Sequence, residues 1–243
     1  MDSLTAVAAS GLRSRMESLD LLANNIANAA TGGYKADREF YSLYLAPEAQ
    51  ASDAPATMPV VERPWIDFSQ GVFESTGNPL DLALSGSGFF AVEGPGGPLY
   101  TRNGSFHLAA NGNLVTEEGY PVRALNGAAL ALQNTRPIEI APDGTVTQDG
   151  NAIGQLQVVD FADAGGLTKQ GKSYFRAAGP SATPSASQAV VEQGRREGSN
   201  TGAAESAVRL VGILRQFEML QKAVLLGADM SKQAIEQVAK VGS

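Results

Sequence analysis

The chain has 243 residues, 43% of them apolar, enough to bury one large core or two modest ones. Charged residues make up only 18%, below the roughly 25% usual in soluble domains, so much of the surface is expected to be covered. The net charge of −7 comes without any run of Lys or Arg, which argues against nucleic acid as a partner, and the lack of cysteine excludes disulfides, thiolate metal sites and a Cys nucleophile.

The first predicted element is a helix starting from Asp2 or Ser3 as N-cap. Ala8, Leu12, Arg15, Leu19, Leu22 and Ile26 alternate steps of four and three, which marks one face of a helix with a single charged interruption. Thr31-Gly32-Gly33 offers a backbone able to take positive φ, a common way for helices to end. Met1-Asp2-Ser3 has no basic leader segment and Arg13 and Arg15 break the apolar pattern, so no cleavable signal peptide is expected.

Residues 36–75 combine Phe40, Tyr41 and Tyr44 with Pro47, Pro55, Pro59 and Pro64. Because Pro withholds a donor from any central strand, this stretch reads as an extended linker or an edge hairpin near Val60 to Phe73. From residue 76 to 195 the period becomes two, in short runs such as Leu82-Ala83-Leu84, Phe89-Phe90-Ala91-Val92 and Ile138-Glu139-Ile140. Asn103-Gly104, Asn111-Gly112, Asn126-Gly127, Asp143-Gly144 and Asp149-Gly150 punctuate them as turn dipeptides. Residues 178–188, rich in Ala, Ser, Pro and Gly, read as a surface loop.

After Ser199-Asn200-Thr201-Gly202 the helical period returns. Leu210, Ile213, Phe217, Leu220, Val224, Gly227, Ser231, Ala234 and Val238 keep strict three-four alternation. A helix from Ala203 to Lys240 would be roughly 57 Å long. Its longest apolar run, Ala223 to Ala228, is far short of the ~20 residues that span a bilayer, so direct membrane insertion is not expected. The expected fold class is α+β, with long N- and C-terminal helices (1–35 and 196–243) forming a coiled-coil-like core domain beside a central all-β domain of short strands.

Candidate chemistry is sparse. His107, the one histidine, lies in a predicted strand between Phe106 and Leu108 and makes no metal site unaided. Gly86-Ser87-Gly88 is followed by a strand, not the helix a phosphate loop requires. Glu117 and Glu118 are adjacent and would point to opposite faces of a strand, and Asp143 and Asp149 sit in single turns without clustered oxygens. No catalytic residue, cofactor or metal is assigned. Three classes of function remain: an assembly subunit, a secreted β-domain hydrolase with helical dimerisation arms, and a binding module whose helices close on each other.

The run Leu22-Ala23-Asn24-Asn25-Ile26-Ala27-Asn28-Ala29-Ala30-Thr31-Gly32-Gly33-Tyr34-Lys35 resembles the N-terminal signature of the bacterial flagellar axial proteins, the rod and hook subunits. Gly77-Asn78-Pro79-Leu80-Asp81, Gly86-Ser87-Gly88-Phe89-Phe90, Tyr100-Thr101-Arg102-Asn103-Gly104-Ser105-Phe106 and Gly119-Tyr120-Pro121-Val122 are similar to that family's middle motifs. Glu197-Gly198-Ser199-Asn200 and Arg215-Gln216-Phe217-Glu218 fall where the family has its C-terminal pair. The resemblance covers nearly the whole chain, departing from the family pattern at Ala30 and at Ala203-Ala204-Glu205-Ser206. It implies a structural subunit of the basal-body rod, of the proximal type with the distal type as the alternative. It also implies export through the flagellar type III apparatus and assembly in the periplasm with copies of itself and other rod proteins. The assembly interface expected from seam and signature together comprises Leu12, Leu19, Leu22, Asn25, Ile26 and Asn28 on the first helix side, with Leu210, Ile213, Phe217, Leu220 and Val224 on the second.

Overall fold

A computed structural model describes residues 3–39, 41–45, 57–61, 64–133, 136–179 and 182–241. Asp2, Phe40, Pro47 and Pro55, named above, lie outside the described residues. The helix α1 (Ser3–Ala27) is followed by β1 (Asp37–Arg38), β2 (Tyr41–Leu45), β3 (Thr57–Val61), β4 (Trp65–Ile66) and β5 (Phe73–Ser75). Next come β6 (Leu82–Ser85), β7 (Phe89–Gly94), β8 (Gly97–Thr101), β9 (Phe106–Leu108), β10 (Leu114–Thr116), β11 (Ile138–Ile140), β12 (Thr145–Gln148), β13 (Asn151–Gln155) and β14 (Val158–Phe161). A 3-10 turn at Ala164–Gly166 leads to β15 (Leu167–Lys169), β16 (Tyr174–Ala177), β17 (Pro184–Ala186), β18 (Val190–Gln193) and β19 (Arg195–Glu197), and the chain ends in α2 (Ala203–Val241).

Contacts divide the chain into two units. The β unit comprises Asn28–Ala36 and Ile66–Thr201; the helical unit comprises Met1–Ala27, Asp37–Trp65 and Gly202–Ser243.

In the β unit the main sheet has the order β15-β16-β8-β7-β14-β17. Its centre is apolar on both faces. Along β7, Phe90 and Val92 join a cluster with Leu82, Leu84, Leu99, Phe106, Leu114 and Val122, while Phe89 and Ala91 join Tyr100, Phe161 and Phe175. Two buried faces explain why this strand reads as an unbroken apolar run rather than an alternating one. Phe90 and Phe175 are wholly buried, each contributing about 1.5–3 kcal/mol by transfer from water. Edge-to-face contacts between Phe89 and Phe175, centroids 5.7 Å apart, and between Phe90 and Phe106, 5.2 Å apart, fix the rings.

Two local readings change. Residues 178–188 are not all loop, since Pro184–Ala186 forms β17 and pairs antiparallel with β14. An edge position tolerates Pro because its missing N–H faces away from the ladder. Gly104 is not a hairpin glycine with positive φ like Gly112, Gly127, Gly144 and Gly150. Its role is close approach: Leu82 N donates to Gly104 O at 2.9 Å, and a Cβ on Gly104 would lie 1.8 Å from Leu82 O.

In the helical unit α1 lies against both α2 and β3, and β2 pairs with β3 in an antiparallel hairpin from Tyr41↔Val61 to Leu45↔Thr57. The expected fold class, with terminal helices forming a coiled-coil-like core domain, is overturned here. Among the described residues there are only two α-helices, of 25 and 39 residues, in an otherwise β-rich chain. The buried row on α1 is Gly11, Ser14, Ser18, Leu22 and Asn25, in which Leu22 is the one large apolar residue. A coiled coil needs an apolar seam on both partners, whereas the buried row of α1 is mostly small and polar, and α1 packs on β3 of the hairpin as well as on α2. No α-helix among the described residues is long and apolar enough to cross a membrane.

Candidate functional site

The motifs singled out in the sequence converge in the β unit on one buried carboxylate. The turn after Asn28 brings Gly33 into a left-handed conformation at φ 63° with its N–H on Glu197 O at 2.8 Å. A Cβ there would lie 2.2 Å from Asn103 N, so glycine is required both for conformation and for space. Tyr34 and Lys35 follow, both almost fully buried. Lys35 Nζ donates to Glu197 Oε1 at 2.6 Å and to Ser69 O at 2.6 Å. Glu197 Oε1 also accepts from Gly71 N at 2.8 Å, and Oε2 accepts from Arg102 Nη1 at 3.3 Å. Arg102 continues to Leu84 O at 3.0 Å and Gly86 O at 2.6 Å. Gly86-Ser87-Gly88 thus presents a carbonyl to a cation inside the protein.

Beside this cluster Asn200 acts as a clasp. Its Oδ1 accepts from Ala36 N at 2.8 Å, its Nδ2 donates to Asp67 O at 2.7 Å, and its backbone N–H donates to Tyr34 O at 3.2 Å. The side chains of Lys35 and Glu197 are fully buried and that of Arg102 is 4% exposed, so two cations share one carboxylate out of water. Burial pushes Lys35 and Arg102 below their ordinary pKa values, and the Glu197 carboxylate opposes the shift in both. The group is held rigidly with its hydrogen bonds directed inward; its chemistry is cross-linking, joining the N-terminal signature, the middle motifs and the Glu-Gly-Ser-Asn motif. Sequence reasoning quoted all three charged residues inside motifs but assigned them no role. The available signal was a charge set among glycines and strand residues in a chain poor in charge.

The remaining sequence candidates have local duties. His107 is exposed on β9 opposite Val115. Glu118 accepts a hydrogen bond from the Tyr174 hydroxyl, and burial, reinforced by that carboxylate, raises the phenol pKa. Asp143 closes its turn by accepting from Thr145 N and Oγ1, both at 2.9 Å, which lowers its pKa. Asp149 pairs with Arg136 at 2.7 Å.

In the helical unit the expected interface residues distribute unevenly. Leu22, Asn25 and Ile213 are buried, while Leu12, Leu19, Ile26, Leu210, Phe217, Leu220 and Val224 are half-buried. Leu220 faces Gly11, whose Cβ position lies 3.3 Å from its Cδ1. Asn25 bonds Asp37 from both ends of its amide, with Nδ2 donating to O at 2.8 Å and Oδ1 accepting from N at 3.0 Å. Asn28, assigned to the β unit, accepts from Thr31 Oγ1 at 3.2 Å. Sequence reasoning missed the outward side of α2, where Val208, Val211, Leu214, Met219, Leu225, Leu226 and Met230 are all exposed. Monomeric soluble proteins rarely expose so much apolar surface on one helix. Gly212 lies among these residues with nothing within 4 Å of its Cβ position. A glycine in a helix interior costs about 0.5–1 kcal/mol relative to Ala, and no neighbour within 4 Å offsets that cost.

The sequence model for the flagellar hook protein FlgE/F/G D1 domain matches residues 83–148. A flagellar basal-body rod protein FlgF from Caulobacter vibrioides is 31% identical, over 99% of this chain and 100% of its own length. Flagellar basal-body rod proteins FlgG from Agrobacterium fabrum and Bacillus subtilis are 33% and 30% identical, each over 93% of this chain and 95% of their own. The hydrolase alternative finds no support among these relatives.

Proposed function

The chain belongs to the flagellar basal-body rod protein family, and from that premise we propose that it is a structural subunit of the proximal rod, assembling with copies of itself and other axial proteins into the drive shaft that carries motor torque to hook and filament. The observation that carries this reading is the end-to-end match to rod proteins, both helices included. Exposed apolar residues along α2 agree with it, because a subunit that ended its life as a monomer would have no use for them. Arg215-Gln216-Phe217-Glu218, where distal subunits tend to have Arg-Ala-Tyr-Glu, favours the proximal position. The distal rod is the second reading, supported by the relatives named FlgG.

The role is mechanical. Leu12, Leu19, Leu22, Asn25 and Ile26, with Leu210, Ile213, Phe217, Leu220 and Val224, hold the helices as one unit and meet neighbours at their half-exposed edges. Asn28 shapes the turn toward Gly33. The cross-linked β unit supplies stiffness. Export through the flagellar type III apparatus delivers the subunit to the periplasm. Deleting the gene and purifying basal bodies tests the reading. Rods should be missing or truncated and restored by the full chain in trans; complete rods in the deletion strain would overturn it.

A further inference from the structure

We propose that the outward stripe of α2 docks antiparallel on the outward stripe of α1 from a second copy, in one specific register. The proposal rests on the rod-subunit reading for its choice of partner.

The exposed residues of α1 include Ala9, Arg13, Met16, Asp20, Ala23 and Ala27, in steps of four and three. Those of α2 include Val208, Gly212, Arg215, Met219, Lys222, Leu226 and Asp229, in the same steps. Each set forms a straight stripe on its helix. Run antiparallel, the two fit in a register that sets Arg13 opposite Asp229, Met16 opposite Leu226, Asp20 opposite Lys222 and Ala23 opposite Met219. Opposite charges meet at two positions and apolar side chains at the two others. Arg13 already lies 3.3 Å from Glu17 of its own helix but is 85% exposed, so it can turn to a second acid. Large residues on α2 face alanines on α1, which lets the backbones approach.

The contact is heterologous, face onto different face, so each copy keeps one free stripe of either kind and the association continues.

Charge reversal in the full chain, followed by sedimentation across a concentration series, tests the register. Asp20→Lys alone and Lys222→Asp alone should each raise the concentration for half-association about tenfold, while circular dichroism stays unchanged because both residues are exposed. An equimolar mixture of the two variants should recover association, since each supplies what the other lost. A wild-type chain that stays monomeric throughout, single reversals without effect, or a mixture that fails to recover would each overturn the register. None of these bears on whether the deletion strain lacks rods, so the two readings fail separately.

Discussion

Glu197 neutralises Lys35 and Arg102 together, with every side chain of the trio out of water. Removing its charge therefore leaves two buried cations facing each other. Glu197→Gln should cost about 3–5 kcal/mol in denaturant unfolding. Lys35→Met should cost distinctly less, because Arg102 still balances the carboxylate; equal losses from the two changes would contradict the shared-anion picture. The cluster also carries a pH signature. Lys35 is held below its ordinary value of 10.5, so between the lowered value and 10.5 the unfolded chain binds more protons than the folded one. The Lys35 contribution to stability accordingly rises with pH across that interval. Wild type should gain on Lys35→Met as pH climbs through it and hold a constant offset below; parallel stability curves would rule this out. Gly33→Ala combines a left-handed φ with a Cβ 2.2 Å from Asn103 N and should lose at least about 2 kcal/mol, read from the thermal midpoint of the β unit. Each of these residues stood inside a motif noticed in the sequence. Their pairing was not legible, because a single sequence carries no sign that position 35 will meet position 197.

At the scale of elements, the two helices were legible as helices and misread as a coiled-coil-like core. Periodicity counts large apolar residues, and α1 turns Gly11, Ser14 and Ser18 inward, residues that such counting ignores. At Gly11 the small size lets α2 come close, with Leu220 seated over it. The apolar residues of α1 are shared out along its flanks, which a heptad reading treats as one seam. Ile213 is 5% exposed, the most buried large apolar residue described on α2. Ile213→Ala should destabilise the helical unit by about 2–4 kcal/mol, seen as earlier loss of the helical signal, while the sheet's aromatic signal keeps its midpoint. Loss of both signals at one lowered midpoint would show instead that the units unfold together. The strands were easier to anticipate where one face or both were apolar, as in β7. The Pro184–Ala186 strand was hidden by a composition typical of loops and became a strand only because the edge of β14 was available to pair with it.

For the whole molecule, contiguity in sequence and contiguity in space part company. The β unit recruits Asn28–Ala36 from far upstream, and with it Tyr34 and Lys35. A fragment of residues 66–201 alone would keep Glu197 and Arg102 but lose the second cation and the backbone partner on Gly33. It should melt below the β unit of the full chain, and a peptide of residues 28–36 added in trans should raise its midpoint; a fragment as stable as the parent would refute the recruitment.

The bond from Lys35 to Glu197 spans 162 positions, and this has a consequence in time. Contacts that close such long loops form late, and folds rich in them are slow. A chain that emerges N-terminus first, from a ribosome or from a narrow conduit, cannot settle its signature segment until about four-fifths of its length has emerged. Until then Lys35 has no carboxylate to meet, and the first residues out remain unfolded. The position of one acidic residue near the end thereby sets the moment at which the beginning can fold.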